Sequence, residues 1–267
     1  MSRIAEVLAR RHAQGQAALV PYITAGDPMP ACTPSLVRAA IAAGADLIEL
    51  GVPFSDPMAD GPVLQRSAVR ALAGGTTLPR ILEMVAELRR EVDTPIVLFG
   101  YYNPFFRYGV EAIARDAAAA GVDGVLCVDL PPEEAGDLRA AIQAAGLDLI
   151  ALLAPTTPAA RVRQIAHTAS GFLYFVSVLG VTGARATLPQ ELPALVASVR
   201  DAVTLPVGVG FGVQSPEQAA WVAGFADAVI VGSALARVIE DSPRAEAPAR
   251  VQAFVADLAA AMRAAAR

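Results

Sequence analysis

The sequence predicts an α/β fold, a (β/α)8 or TIM barrel, with an extra helix at the N-terminus and extra helices after strands two and eight. Three observations carry this. Eight short runs are almost continuously apolar, the pattern of strands buried on both faces of a parallel sheet. A stretch of helical spacing follows each run, so strand and helix alternate along the chain. The 267 residues, 55% of them hydrophobic, suit the length of an eight-unit barrel. An open doubly wound sheet is the alternative for the same alternation. No linker or shift of composition divides the chain, which reads as one domain over residues 1–267.

In order, residues 2–14 place Ile4, Val7 and Leu8 on one helical face. Residues 17–23 form the first apolar run, ended by the turn sequence Thr24-Ala25-Gly26-Asp27-Pro28. A helix over 33–43 stops at Gly44, a C-cap residue. The second run, 46–51, leads into a loop dense in Pro, Gly and Asp that reaches Pro62. Helical segments 64–72 and 78–91 follow, parted by Gly74 and Gly75. Then come strand 95–101 with helix 110–120, strand 124–128 with helix 133–145, and strand 149–153 with helix 159–169. Strand 172–178 precedes helix 192–203, and strand 206–209 precedes helix 216–224. The last strand is 228–231; a short helix from Ser233 and a long one over 250–265 close the chain.

Composition removes several kinds of chemistry. All 21 basic residues are arginine, so a Schiff-base lysine is excluded. The only histidines, His12 and His167, have no metal-ligand companion at motif spacing, and no metal site is expected. Acid/base work therefore falls to Asp, Glu or Tyr. The net charge of −5 without a basic cluster argues against nucleic acid and anionic membrane. Arg3, Glu6, Arg10 and Arg11 interrupt any secretory signal, and the uncharged stretch 164–184 has an apolar centre of strand length only. Cys32 and Cys127, far apart in apolar surroundings, read as buried free thiols. The expected location is the cytoplasm.

Barrel sites lie at the C-terminal strand ends. On the second strand, alternation puts Leu47, Glu49 and Gly51 on one face and Ile48 and Leu50 on the other. An inward Glu49 among apolar side chains has its pKa raised by desolvation, which suits a proton shuttle. The other reading is a structural glutamate bonded to backbone or tyrosine. Asp60 closes the following loop, either as a site residue or as a turn aspartate; Asp56 before Pro57 suits plain turn chemistry. After strands six, seven and eight stand three glycine loops, Leu179-Gly-Val-Thr-Gly183, Gly208-Val-Gly-Phe-Gly212 and Val231-Gly-Ser233. Together they suit phosphate, held by backbone N–H groups and the start of the helix at Ser233, with Arg185 as a nearby charge. Tyr174 is either a core tyrosine or one whose hydroxyl faces the ligand. Tyr101 and Tyr102 read as rim packing, and Asp129 as catalytic or as the cap of the helix after Pro131 and Pro132.

These residues carry a resemblance. Glu49-Leu-Gly-Val-Pro-Phe-Ser-Asp-Pro-Met-Ala-Asp-Gly-Pro62 resembles the signature of the tryptophan synthase alpha subunit family. Pro21-Tyr-Ile-Thr-Ala-Gly-Asp-Pro28, Gly100-Tyr-Tyr-Asn-Pro104, Gly180-Val-Thr-Gly-Ala184, the Gly208–Gly212 motif and Val231-Gly-Ser233 are similar as well, in order, across nearly the whole chain. The resemblance implies a lyase that cleaves indole-3-glycerol phosphate to indole and glyceraldehyde 3-phosphate. It makes Glu49 the proton shuttle at indole C3 and the glycerol hydroxyl, and Asp60 the acid that engages the indole N–H. Tyr22, Leu126, Tyr174, Thr182 and Phe211 would meet the substrate, and Gly183, Gly212, Gly232 and Ser233 its phosphate. It implies no cofactor in this chain and a pyridoxal-phosphate (PLP) beta subunit as partner in an α2β2 complex, met by Pro53, Asp56, Asn103 and Pro104. The 180–187 loop would close over the site. Val178 and Leu179 depart from the Arg and Ser of some members, and Tyr22 from phenylalanine. A phosphosugar isomerase and a non-catalytic regulatory subunit are the competing expectations.

Overall fold

Eight parallel strands close on themselves in chain order: β1 (Ala18–Thr24), β2 (Ile48–Gly51), β3 (Ile96–Gly100), β4 (Gly124–Cys127), β5 (Asp148–Leu153), β6 (Leu173–Val176), β7 (Val207–Gly210) and β8 (Ala228–Val231). Closure is made by β8 on β1, with Ala18 opposite Ala228 and Pro21 opposite Val231. The open-sheet alternative is thereby removed. This computed structural model describes residues 1–176, 188–210 and 212–265.

The helices among those residues are α1 (Arg3–Ala13), α2 (Thr33–Ala42), α3 (Pro62–Ala73), α4 (Leu78–Leu88), α5 (Tyr102–Tyr108), α6 (Val110–Ala120), α7 (Gly136–Ala144), α8 (Ala159–Thr168), α9 (Leu192–Ala202), α10 (Pro216–Ala223), α11 (Ser233–Glu240) and α12 (Ala247–Ala264). The expected extra helices are α1, the α3–α4 pair after β2, and the α11–α12 pair after β8. Helix α5 was not expected, because Pro104 reads as a breaker. It occupies the third helical position, in the first turn, where a backbone N–H has no helical acceptor to lose. A short 3-10 turn, Pro30–Cys32, is a second unexpected piece. Helix α7 begins at Gly136, later than expected, because residues 131–134 first make a turn in which Glu134 N donates to Pro131 O at 3.0 Å. Residues 177–178 of the expected sixth strand lie outside the described residues.

Alternation along the strands sorts side chains into two layers. Val20, Tyr22, Leu47, Val97, Phe99, Leu126, Ile150, Phe172, Tyr174 and Ile230 fill the barrel interior. Ile48, Leu50, Leu98 and Val209 face the helices in the outer core. Both cysteines are free, and both are half-buried rather than buried.

One end of the barrel is sealed. Ile4 and Leu8 of α1 pack into the interior cluster. Around them α1 and its N-cap meet acids at or just before strand starts: Ser2 Oγ donates to Asp148, Arg3 to Asp123 at 2.8 Å and Arg11 Nε to Asp46 at 2.7 Å. Two of those acids, and Asp227 before β8, also tie neighbouring strands together. Asp46 accepts from Leu19 N at 3.0 Å, Asp123 from Ile96 N at 2.8 Å, and Asp227 from Val207 N at 2.9 Å. Each precedes an even strand and satisfies a backbone N–H near the start of the odd strand before it. The opposite end, where the strands point, is left for the site.

Candidate active site

Glu49 sits on β2 between Tyr22 of β1 and Val97 of β3 in register. It is fully buried, and neither carboxylate oxygen has a hydrogen-bond partner among the described residues. The reading of a bonded structural glutamate is therefore not the one the structure supports. Desolvation raises its pKa to about 8, so the group holds a proton at neutral pH. Buried polar groups are nearly always satisfied, and an orphaned carboxyl in a strand calls for an explanation in chemistry.

The loop after β2 brings Asp60 over the same end. Asp60 N donates to Pro57 O at 3.1 Å, and Gln65 Nε2 donates to Asp60 O at 2.9 Å, which ties the loop to the first turn of α3. Asp60 is 6% exposed. Burial raises its pKa to about 6, against a hydrogen bond from the Tyr101 hydroxyl that lowers it. The same hydroxyl accepts from Ala59 N at 3.0 Å. Tyr101 thus fixes both the loop and its carboxylate, a larger role than rim packing. The signal was available: Val97, Phe99 and Tyr101 share one parity along the third strand.

Tyr22, Asp60, Leu64, Phe99, Tyr174, Gly212, Val213, Gly232 and Ser233 line one pocket at this end. Glu49 is not itself among the lining residues but pairs in register with Tyr22, which is, and Leu126 is fully buried in the barrel interior. Tyr22 stands edge-on to Phe99, ring centroids 5.3 Å apart, and Phe99 lies 6.3 Å from Tyr174. The pocket is therefore walled by aromatic rings on one side. Phe99, Leu64 and Val213 were not foreseen. Tyr22 and Tyr174 are held neutral: burial comes first, then the charge of Asp60 for Tyr22 and of Glu49 for Tyr174. Two glycines make room for them. A Cβ on Gly51 would stand 2.1 Å from the Tyr22 hydroxyl, and one on Gly210 2.1 Å from that of Tyr174.

On the other wall Gly232 is the N-cap of α11 and Ser233 its first residue, with no side chain capping that helix start. Gly212 has φ +102°, in the region that favours glycine. This side offers backbone N–H groups to an anion. Thr182, Gly183 and Phe211 lie outside the described residues, as do Val178, Leu179, Arg185 and the rest of the 180–187 loop. Asp129 caps a helix, but not the expected one: its Oδ1 accepts from Tyr102 N at 2.7 Å, at the start of α5. Of the expected partner contacts, Asp56 and Asn103 are exposed, Pro104 is half-buried and Pro53 is buried. Met58 and Phe106, 88% and 62% exposed, are exposed apolar side chains on the same two segments.

A separate groove of ≈ 390 Å³ lies between α7 and α8, lined by Leu130, Leu138 and Ile165 among others, away from both carboxylates. Among the described residues no group of three or more His, Cys, Asp or Glu is placed to hold a metal, and no helix is long and apolar enough to cross a membrane.

Comparison with known proteins agrees with this fold. The family model described as "Tryptophan synthase alpha chain" matches residues 8–266. The tryptophan synthase alpha chain of Geobacter sulfurreducens is 53% identical over 258 residues, covering 97% of this chain and 98% of its own length. That of Geobacter sp. strain M21 is 55% identical, with 97% of each chain covered. Among solved structures, tryptophan synthase subunit alpha of Legionella pneumophila str. Paris superposes with a TM-score of 0.91 at 41% identity, over 99% of both chains. A chain of Mycobacterium tuberculosis tryptophan synthase gives 0.90 at 39% identity over 98% of both.

Proposed function

The chain belongs to the tryptophan synthase alpha chain family, and on that premise we propose that Glu49 and Asp60 perform its carbon–carbon cleavage. The reaction is the retro-aldol cleavage of indole-3-glycerol phosphate to indole and glyceraldehyde 3-phosphate, a lyase step of tryptophan biosynthesis. The observation that carries the residue assignment is the buried, unpartnered Glu49 in register with Tyr22, which lines a pocket together with Asp60.

Cleavage needs an electron sink, and the chain has no lysine to form one. The substrate's own ring serves. Glu49, starting neutral, gives its proton to indole C3, and the ring becomes an indolenine cation. Asp60, ionised above about 6, accepts a hydrogen bond from the ring N–H and stabilises that charge. Glu49, now a carboxylate, takes the proton of the hydroxyl on the adjacent glycerol carbon. The C–C bond breaks, its electron pair returns to the ring, and the oxygen becomes the aldehyde. Glu49 ends protonated, ready for the next turnover. Tyr22, Phe99, Leu126 and Tyr174 give the ring an apolar slot. Gly212, Gly232 and Ser233, with Gly183, hold the phosphate through backbone N–H groups and the α11 start. Thr182 and Phe211 complete the proposed substrate contacts.

The family name implies a beta partner. The proposed arrangement is an α2β2 complex in the cytoplasm, in which a PLP-bearing beta subunit receives the indole and this chain, acting as a single domain, carries no cofactor. Exposed Asp56, Asn103, Met58 and Phe106 support a partner on this rim, with Pro53 and Pro104 shaping it. The test is to incubate the chain with indole-3-glycerol phosphate, alone and with a beta subunit, and to measure indole. Glu49→Gln is expected to abolish it and Asp60→Asn to lower it by about 10²-fold or more. Wild-type rates in either variant would overturn the residue assignment.

A further inference from the structure

The two walls of the pocket are tied together at their far ends. Asp60 lies two residues before α3, whose N-cap is Gly61, and Ser233 opens α11, so each helix has one part of the site at or just before its N-terminus. From the body of α3, Arg70 reaches two partners. Its Nε and Nη2 grip Asp27 at 2.7 and 3.0 Å, and its Nη1 donates to Glu240 at 2.6 Å. Glu240 is the last residue of α11. Arg66, one turn earlier on α3, holds both oxygens of the same Glu240 at 2.8 and 2.7 Å. Asp27 is 1% exposed, in the loop after β1, three residues beyond the strand that carries Tyr22. A planar guanidinium with donors on both edges can bridge two carboxylates in fixed directions, which a lysine ammonium does not do.

We propose that Arg70 is a positioning residue of the cleavage reaction, setting the spacing between the Asp60 carboxylate and the phosphate-holding start of α11 by clamping α3 to α11 and to the β1 loop. The proposal rests on the reading that Asp60 and the Gly232–Ser233 turn serve one substrate. Phosphate bound at one helix start then anchors the substrate, and the clamp decides where the indole ring falls relative to Asp60. A misplacement of about 1 Å between such groups costs on the order of 10²-fold in rate. Surface ion pairs alone contribute little; here the buried Asp27 and the shared Glu240 make the geometry specific.

The test compares two substrates in the complex with a beta subunit. Condensation of indole is run with glyceraldehyde 3-phosphate and with glyceraldehyde, which lacks the anchor. Arg70→Lys keeps the charge and loses the bridge. It is expected to lower kcat for the phosphorylated substrate by about tenfold or more, with KM changed far less, and to leave the rate with glyceraldehyde near wild type. Glu240→Gln, which frees α11 while Arg70 still holds Asp27, is expected to act in the same direction and more weakly; it decides the matter if Arg70→Lys does not fold. Equal losses on both substrates, or no loss on either, would overturn the inference. Absence of indole chemistry in the wild type would instead overturn the functional reading.

Discussion

Glu49 is a carboxyl whose environment stabilises the neutral form, and two expectations follow from the sign of that shift. The folded pKa of about 8 lies above the ordinary 4.5, so the folded chain binds this proton more tightly than the unfolded one. The stability that this gives is fully present below about 4.5 and is lost as pH rises through about 8. Glu49→Gln should therefore gain over wild type as pH rises, on the order of 5 kcal/mol at pH ~9 and little at pH ~4.5, read from urea midpoints. For activity, Asp60 must be ionised and Glu49 protonated. The profile of kcat/KM is expected to be a bell, rising through about 6 and falling through about 8. Asp60→Asn should remove the rising limb. Tyr101→Phe deletes the hydrogen bond that lowers the Asp60 pKa, so that limb should move to higher pH and the 53–60 loop should loosen. An unmoved limb in Tyr101→Phe would show that another group sets it.

At the scale of the element, strand parity does most of the placing. On β2 the same alternation that puts Leu47 inside puts Glu49 inside, and the next inward position, Gly51, lies under the Tyr22 ring. Gly51→Ala would drive a methyl group into that ring. The expected outcome is a destabilisation of about 1–3 kcal/mol together with a loss of kcat/KM, because Tyr22 must swing from the pocket wall. A variant with wild-type kinetics and an unmoved Tyr22 would contradict this packing. On the third strand the shared parity of Phe99 and Tyr101 went unread, because the dipeptide Tyr101-Tyr102 reads as rim packing until the fold supplies Asp60 and Ala59 as partners. Helix α5 was hidden for a different reason. Its first N–H is satisfied by Asp129, 27 residues away, and local propensity cannot register a cap supplied by the loop after the next strand.

Across the whole molecule, the barrel divides stability from chemistry by its two ends. The sealed end depends on charge pairs such as Asp123, which meets Arg3, Arg89 and the backbone of Ile96. Asp123→Ala leaves Arg89, with 10% of its side chain exposed, and the Ile96 N–H without that partner. A loss of about 3–5 kcal/mol is expected, measured by urea unfolding, while kcat of the folded enzyme stays within about twofold. A large fall in kcat at unchanged stability would show that the two ends are coupled.

The sequence by itself determined the eight alternating units, the inward face of β2 and the motifs that tie Glu49, Asp60 and the glycine loops to one family. These are local facts: period-2 and helical spacing, turn residues, and short runs whose chemistry survives without neighbours. Only the tertiary structure decided which of Glu49's possible partners exist, that Tyr101 holds Asp60, that Asp129 caps α5, and that Arg70 joins α3 to α11 and the β1 loop. Each of these depends on side chains 27 to 170 residues apart meeting through barrel closure. Pairings across that separation are set by the register and packing of the closed sheet, and a single sequence carries no local signal for them.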